Sequence, residues 1–369
     1  MTTQERLVQL LDGKGALSPE WRDAVMSVDR GLFIPSAVEG CGGTAESEEW
    51  RRLVYDDVPV VTQVNDGMPI DEGAFRLATS SSSMPSIMLE MLDLLDARAG
   101  DRVLELGTGT GYNAAWLSHR LGDANVATVE LDPVILATAV NNLKAAGYCP
   151  TATVGDGRDG FRRGAPYQRI ICTFSMREIP RAWLEQCLDG RIVTPWGSSF
   201  FNGSFVTLAV EAGRARGSFS GDPAFMWDRK HRAGAGRIRD HHREERGRRR
   251  STDVPPQNVL QDDPAFFVGL HLTDAWYRWA EADDGSGGAT LWLFADDGKS
   301  WASVRYAPDQ DAYGVEQFGP RTLWDETESA FLRWHELGKP ERSRFGISVD
   351  ARGQRVWLDD PLDVVVGVS

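Results

Sequence analysis

The sequence predicts an α/β protein: a doubly wound, mostly parallel β-sheet with helices on both faces, followed by a smaller α+β C-terminal domain. Three observations carry this. Val103-Leu104-Glu105-Leu106 is the apolar run that a buried parallel strand needs; it gives way to glycines at 107, 109 and 111, and Ala114 to Leu121 then has helical character. Asn125 to Val129 is a second short apolar strand that ends in Glu130, about twenty residues past the glycines. Val154-Gly155-Asp156-Gly157 follows a second helical stretch and falls where a third strand would end. Alternation of strands and helices in this way builds parallel sheets.

The glycine turn implies a ligand. Glycine takes positive φ without strain and lets the backbone approach a bound molecule, while the free N–H groups of the next helix face the same point. A plain αβ turn has glycines too, so the next strand carries weight: a carboxylate at Glu130 can accept both hydroxyls of a ribose. The Gly-x-Gly-x-x-Gly pattern of dinucleotide enzymes is absent, because the glycines alternate strictly and an acid, Glu105, precedes them inside the strand. Together these motifs resemble the S-adenosylmethionine site of the class I, Rossmann-like methyltransferases. The resemblance assigns the cofactor to Glu105, Gly107, Thr108, Gly109, Gly111, Tyr112, Glu130, Leu131, Asp156 and Gly157. It sets Asp156 against the adenine amino group and implies S-adenosyl-L-homocysteine as product, with no metal.

A length of 369 residues argues for two domains. Hydrophobic residues at 41% and charged residues at 25% suffice for a core, and the formal net charge of −14 argues against a general nucleic-acid binder, which needs a cationic face. Cys41, Cys149, Cys172 and Cys187 lack paired metal-ligand spacing and read as small buried thiols in a reducing compartment. With no signal-like apolar core at the start and no run long enough to span a bilayer, a soluble cytoplasmic protein is expected.

Along the chain, Gln4 to Leu11 and Trp21 to Val28 have helical spacing, with Ser18-Pro19-Glu20 as cap and first turn. The stretch Val28-Asp29-Arg30-Gly31-Leu32-Phe33-Ile34-Pro35 resembles the opening segment of the protein-L-isoaspartate O-methyltransferases, in which an Arg, a Phe and a Pro recur this way. Tyr55-Asp56-Asp57-Val58-Pro59 is similar to that family's Tyr-x-Asp-x-Pro, and Ser81-Ser82-Ser83-Met84-Pro85 falls where the family has Thr-Ile-Ser-x-Pro. The helix that follows has apolar positions at Ile87, Met91, Leu94 and Leu95. Gly155-Asp156-Gly157-Arg158-x-Gly160, Pro166-Tyr167, Ile179-Pro180 and Gln186-x-Leu188-x-Gly190 to Pro195 extend the resemblance over about Trp21 to Gly197.

Two departures stand beside the agreement. Val60 to Thr79, with Asn65-Asp66-Gly67 and Asp71-Glu72-Gly73, is longer than the family usually shows, and Ser86 stands where an aromatic or His commonly follows the proline. A rebuilt loop beside an intact cofactor motif suggests the same chemistry on a different carboxylate; the alternative is a variable surface loop.

Leu188 to Val193 and Ser204 to Val210 read as late strands. Domain one is then residues 1–225, an Arg-rich linker spans 226–257 and a C-terminal α+β domain spans 258–369. The linker, with Arg229-Lys230-His231-Arg232 and Ile238 through Arg250, reads as solvated or as a docking strip; no aromatic for base stacking occurs between Arg229 and Arg250, and the His241-His242 pair reads as solvated rather than metal-binding. In the second domain Thr290 to Phe294 and Trp301 to Tyr306 alternate around Ala295-Asp296-Asp297-Gly298, Thr322 to Leu337 is an amphipathic helix, and Arg344 to Val349 with Gln354 to Leu358 forms a closing hairpin. Trp276, Trp279, Trp292, Trp301, Trp324, Trp334 and Trp357 read as core or, where exposed, as peptide-binding surface.

The family resemblance implies methyl transfer to a carboxylate oxygen. A carboxylate is ionised at neutral pH and needs no general base, which suits motifs without a His. Ser83 is carried over as the residue orienting the substrate, with Ser81 matching the family's Thr and Ser82 between them. Members with a C-terminal extension methylate an Asp of a cyclised lanthipeptide or graspetide, and this chain resembles that branch: a peptide partner, an activated ester, an aspartimide and then isoaspartate. General repair of isoaspartyl residues is the alternative, and an AdoMet-binding partner protein without turnover is a third. The loop at Val60 to Thr79 and the C-terminal domain are expected to select the substrate and take no part in methyl transfer.

Overall fold

The computed structural model describes residues 3–38, 41–45, 47–69, 75–232, 237–242 and 246–368. The strands in chain order are β1 (Val60–Val64), β2 (Ala78–Ser82), β3 (Val103–Leu106), β4 (Val126–Glu130), β5 (Thr151–Val154), β6 (Tyr167–Cys172), β7 (Cys187–Gly197), β8 (Asn202–Glu211), β9 (Arg214–Ser220), β10 (Arg248–Thr252), β11 (Ala275–Glu281), β12 (Ala289–Ala295), β13 (Trp301–Tyr306), β14 (Tyr313–Phe318), β15 (Phe345–Asp350), β16 (Gly353–Leu358) and β17 (Val364–Val368). A 10-stranded sheet runs β17-β16-β15-β9-β8-β7-β6-β3-β4-β5, a 5-stranded sheet runs β10-β14-β13-β12-β11, and β1 pairs with β2 alone.

From β7 to β5 the neighbours in the large sheet are parallel, as the strand–helix alternation predicts. Its other half, from β7 to β17, is antiparallel. The switch follows from the connections: β8 and β9 are joined by Ala212-Gly213, both at positive φ (48° and 71°), a tight hairpin that only an antiparallel pair can use.

The parallel strands are apolar on both sides because both faces are covered. Ile170 and Ile192 point into one core and Ile171 and Val193 into the other, all fully buried. The helices Thr3–Gly13, Pro19–Ser27, Pro85–Leu95 and Tyr112–Leu121 fill one side; Arg181–Gln186 and Asp262–His271 fill the other. The last of these has no amphipathic signature because Pro264 to Leu270 are all buried, against the large sheet and the Leu323–Glu336 helix. Its Phe266 meets Trp196, Phe201, Phe219 and Phe345. Truncating so buried a ring costs about 3–5 kcal/mol.

The structure redraws the expected domain boundaries. The hairpin expected to close a separate domain, β15 and β16, instead pairs with β9 and extends the large sheet. Part of the expected linker, β10, is an edge strand of the small sheet, where it pairs with β14. Only residues between β10 and the Leu323–Glu336 helix form a distinct unit, and even that shares a core with the large sheet. Hydrophobic pattern alone does not say which sheet a hairpin joins.

Three smaller corrections concern side chains. His241 and His242 are not solvated: they pack edge-on against Trp276 and against Trp292 and Trp301, with ring centroids 4.8 to 4.9 Å apart. Cys149 is exposed, whereas Cys172 and Cys187 are buried. Ser18 precedes its helix without a capping hydrogen bond from its side chain, because its hydroxyl goes to Asp93 instead. Arg243, Glu244 and Glu245 lie outside the described residues. Among the described residues no helix is long and apolar enough to cross a membrane, and no group of His, Cys, Asp and Glu is placed to hold a metal ion.

Candidate active site

The turn between β3 and the Tyr112–Leu121 helix carries three glycines at positive φ, for two different reasons. A Cβ on Gly107 would lie 2.5 Å from Thr173 Oγ1, and one on Gly111 would press on Leu143 Cγ and Ala139 O at 3.2 and 3.3 Å. Those two are demanded by packing. At Gly109 the nearest atom is Ser81 O at 3.4 Å, so its Cα is the one that stays open to a ligand.

Beside it opens a cavity of about 910 Å³, lined by Ser81, Ser82, Ser83, Glu105, Gly107, Thr108, Gly109, Tyr112, Glu130, Leu131, Asp156 and Gly157 among others. Gly111, grouped with them from the sequence, is not on its wall. The cavity therefore collects three strand ends, as the C-terminal edge of a parallel sheet does.

Each acid is held differently. Glu105 is fully buried, accepts hydrogen bonds from Asn113 Nδ2 and Thr128 Oγ1 at 2.7 Å, and is pushed up to about 7 by burial. Thr128 Oγ1 also lies 2.6 Å from Thr108 Oγ1, so a buried polar chain runs from the strand to the turn. Glu130 accepts from Gly109 N at 2.9 Å and from the N–H groups of Leu131 and Asp132; burial raises its pKa, against those bonds. Burial also acts to raise Asp156, but Lys230 and the Arg158 N–H outweigh it and hold it below the usual carboxylate range.

The serines sit on β2 and the turn after it. Val60 to Thr79 is a β-hairpin over its described part, with Val60 opposite Ser82 and Val61 opposite Ser81; Asp71-Glu72-Gly73 lies outside the described residues. Behind the serines stands Arg30, with no exposed surface. Its guanidinium donates to the carbonyls of Val54, Asp56, Val58 and Ser83 at 2.8 to 3.1 Å and to that of Ser82 at 3.4 Å. Desolvation pulls it down to about 10, which leaves it charged at neutral pH. Asp57 completes the support: it accepts from Ser86 N at the start of the Pro85–Leu95 helix and pairs with Lys14.

The far walls come from later in the chain. Met226 to Arg229 and Arg232 line the cavity, as do Trp276, Tyr277 and Arg278 of β11. The arginines of this segment are latched rather than solvated: Arg232 makes a two-pronged pair with Asp66 at the tip of the β1–β2 hairpin, and Arg229 reaches Asp66 and Asp132.

Comparison with known proteins decides the family. Residues 2–203 match the family described as Protein-L-isoaspartate(D-aspartate) O-methyltransferase (PCMT). The chain belongs to that family. It is 34% identical over 193 residues to the Protein-L-isoaspartate O-methyltransferase of Ignicoccus hospitalis, covering 52% of this chain and 79% of that one. Against the protein of the same name from Methanopyrus kandleri it is 33% identical over 228 residues, covering 60% of this chain and 89% of that one. A solved structure described as a protein-L-isoaspartate O-methyltransferase superposes with a TM-score of 0.55 at 22% identity, over 97% of this chain and 100% of its own. At that identity it speaks for the fold alone, yet it shows that the fold likeness does not stop where the family match does. The protein is accordingly an S-adenosylmethionine-dependent carboxyl methyltransferase of class I fold.

The residues present fit that cofactor. Two carboxylates stand at neighbouring strand ends, Gly109 leaves its face open, and the buried Ser82 Oγ and Asn113 Oδ1, on residues lining the same cavity, have no hydrogen-bond partner among the described residues. Sequence reading missed Thr128, Asn113 and Asp57 as supports, and gave Arg30 only as a motif letter. It missed the Met226–Arg232 segment and β11 as walls. For Arg30 a signal existed, a lone arginine in an apolar opening segment; for β11 there was none.

Proposed function

We propose that this methyltransferase acts on an Asp side chain of a cyclised ribosomal peptide, that the next backbone nitrogen attacks the resulting methyl ester and closes an aspartimide with loss of methanol, and that water opens the imide to isoaspartate. The observation that supports it is the acceptor side of the cavity, where an enlarged hairpin carries Ser81 to Ser83 and is latched through Asp66 to Arg229 and Arg232. A wide, pre-set receiving surface favours a peptide already fixed in shape, which loses less entropy on binding than a flexible one.

When bound, S-adenosylmethionine supplies the methyl group on a positively charged sulfur. In this reading Glu130 accepts the ribose hydroxyls, Asp156 faces the adenine, and Gly109 permits close approach, while Thr108, Tyr112, Leu131 and Gly157 shape the wall. The Ser83 hydroxyl donates to the acceptor carboxylate and aims its free oxygen, with Ser81 and Ser82 beside it. Arg30 holds that turn in place. No histidine lines the cavity among the described residues, and none is required, since the acceptor arrives ionised.

The second reading is repair of isoaspartyl residues in damaged proteins, favoured by the name shared by the relatives above. The C-terminal unit does not separate the two, because a solved protein of that name matches this fold over nearly its whole length. Incubation with labelled S-adenosylmethionine does: the proposal expects labelling of a ring-closed Asp peptide and little of a linear isoaspartyl peptide. The reverse result establishes repair, and no labelling of either with the cofactor bound would leave a binding protein without turnover.

A further inference from the structure

Three arginines line the cavity, and two are committed: Arg229 to Asp66 and Asp132, Arg232 to Asp66. Arg278 is the exception. Its guanidinium lies over the ring of Trp276, 5.3 Å from the centroid, and it makes no hydrogen bond or ion pair among the described residues. Trp276 is 4% exposed, and among the described residues its buried indole N–H has no acceptor. Both belong to β11, the edge strand of the small sheet, which pairs with β12 alone and borders the cavity. A guanidinium is a donor only, so the group that Arg278 can take is an acceptor, and its positive charge selects an anionic one. Its place over the Trp276 ring restrains an otherwise exposed guanidinium, whose planar fork suits a carboxylate better than a point charge would.

We infer that Trp276 and Arg278 form a receptor for a second carboxylate of the peptide acceptor, distinct from the one that is methylated. The reacting oxygen is unsuited to that place, because a guanidinium clamp draws charge away from the lone pair that must attack. The lining acids are otherwise placed: Glu105, Glu130 and Asp156 stand at strand ends of the large sheet, Asp228 in the latch segment, and Asp222 after β9, where it pairs with Arg342; among the described residues none of them pairs with Arg278. The substrate class this selects is a peptide with another Asp or Glu near the target residue. The inference rests on the reading of the cavity as a peptide methyltransferase site.

The test uses the full-length protein saturated with S-adenosyl-L-homocysteine and two synthetic ring-closed Asp peptides. They are identical except for Glu or Gln at one of the two positions after the target Asp, each position being tried. Calorimetry should show the Glu peptide bound about tenfold more tightly by the wild type. Arg278→Ala should erase the preference, Arg278→Lys should keep part of it, and Trp276→Phe should reduce it severalfold, all with unchanged affinity for S-adenosyl-L-homocysteine. Equal affinity for the two peptides, no binding of either, or a preference that survives Arg278→Ala overturns the inference. Methylation is then measured separately with S-adenosylmethionine. Methylation without discrimination sinks the receptor and spares the reaction, whereas discrimination in binding without methylation keeps the receptor and sinks the acceptor assignment.

Discussion

The two sides of the cavity are built in opposite ways. In the reading proposed above, the cofactor side comes from one contiguous stretch, Glu105 to Gly157, on the ends of adjacent parallel strands. The acceptor side is gathered from β1–β2, the turn after β2, the β7–β8 connection, the Met226–Arg232 segment and β11. The first is local, and its geometry follows from a short motif. The second depends on where the C-terminal half folds back, so it can be altered without touching the cofactor motif.

That contrast breaks most completely if the chain is cut near Met226. Such a protein would lose β15 from the edge of β9 and Phe266 from between Trp196 and Phe219, and we expect aggregated or unfolded material rather than a promiscuous enzyme. A soluble, cooperatively unfolding fragment in calorimetry would show that the acceptor side is a separable module after all.

Gly109→Val attacks the local side alone. With φ at 54° and its open face on the cavity, a branched side chain there is strained and occupies ligand space; affinity for S-adenosylmethionine should fall by roughly a hundredfold or more in a folded protein. Titration calorimetry at normal affinity would remove the turn from the site.

Arg30→Met and Ser83→Ala sharpen the distinction on the acceptor side. The first leaves the carbonyls of Val54, Val58 and Ser83 without their donor, so we expect a loss of about 3 kcal/mol in denaturant unfolding and a roughly hundredfold fall in kcat/KM from a displaced serine turn. Ser83→Ala should leave stability alone and lower kcat by about tenfold with little change in cofactor affinity. If Arg30→Met lowers stability without touching the rate, the serine turn is held by something else.

A pH-dependent effect concerns Glu105, a support beneath the glycine turn. Its folded pKa of about 7 stands above the ordinary 4.5, so the carboxyl binds its proton more tightly in the folded state. The stability this adds is complete below pH 4.5 and is lost as pH rises through 7, on the order of 3 kcal/mol in all. Glu105→Gln should flatten the fall in melting temperature between pH 5 and pH 8; an unchanged slope would mean that Glu105 is not its source.

What the sequence determined by itself lies where contacts are near in the chain. Val103 to Gly111 and Asn125 to Glu130 announce strand, turn and acid because burial on both faces and positive φ restrict which residues can stand there. The hairpin β15–β16 was legible as a hairpin for the same reason, from its own alternation and turn. Only the tertiary structure decided that it joins β9, that Asp66 meets Arg232 across 166 positions, that His241 and His242 are packed on tryptophans, and that β11 borders the cavity. Those pairings are chosen by the shape and charge of surfaces that exist only after the chain has closed long loops, and no short-range pattern encodes which of several compatible surfaces will meet.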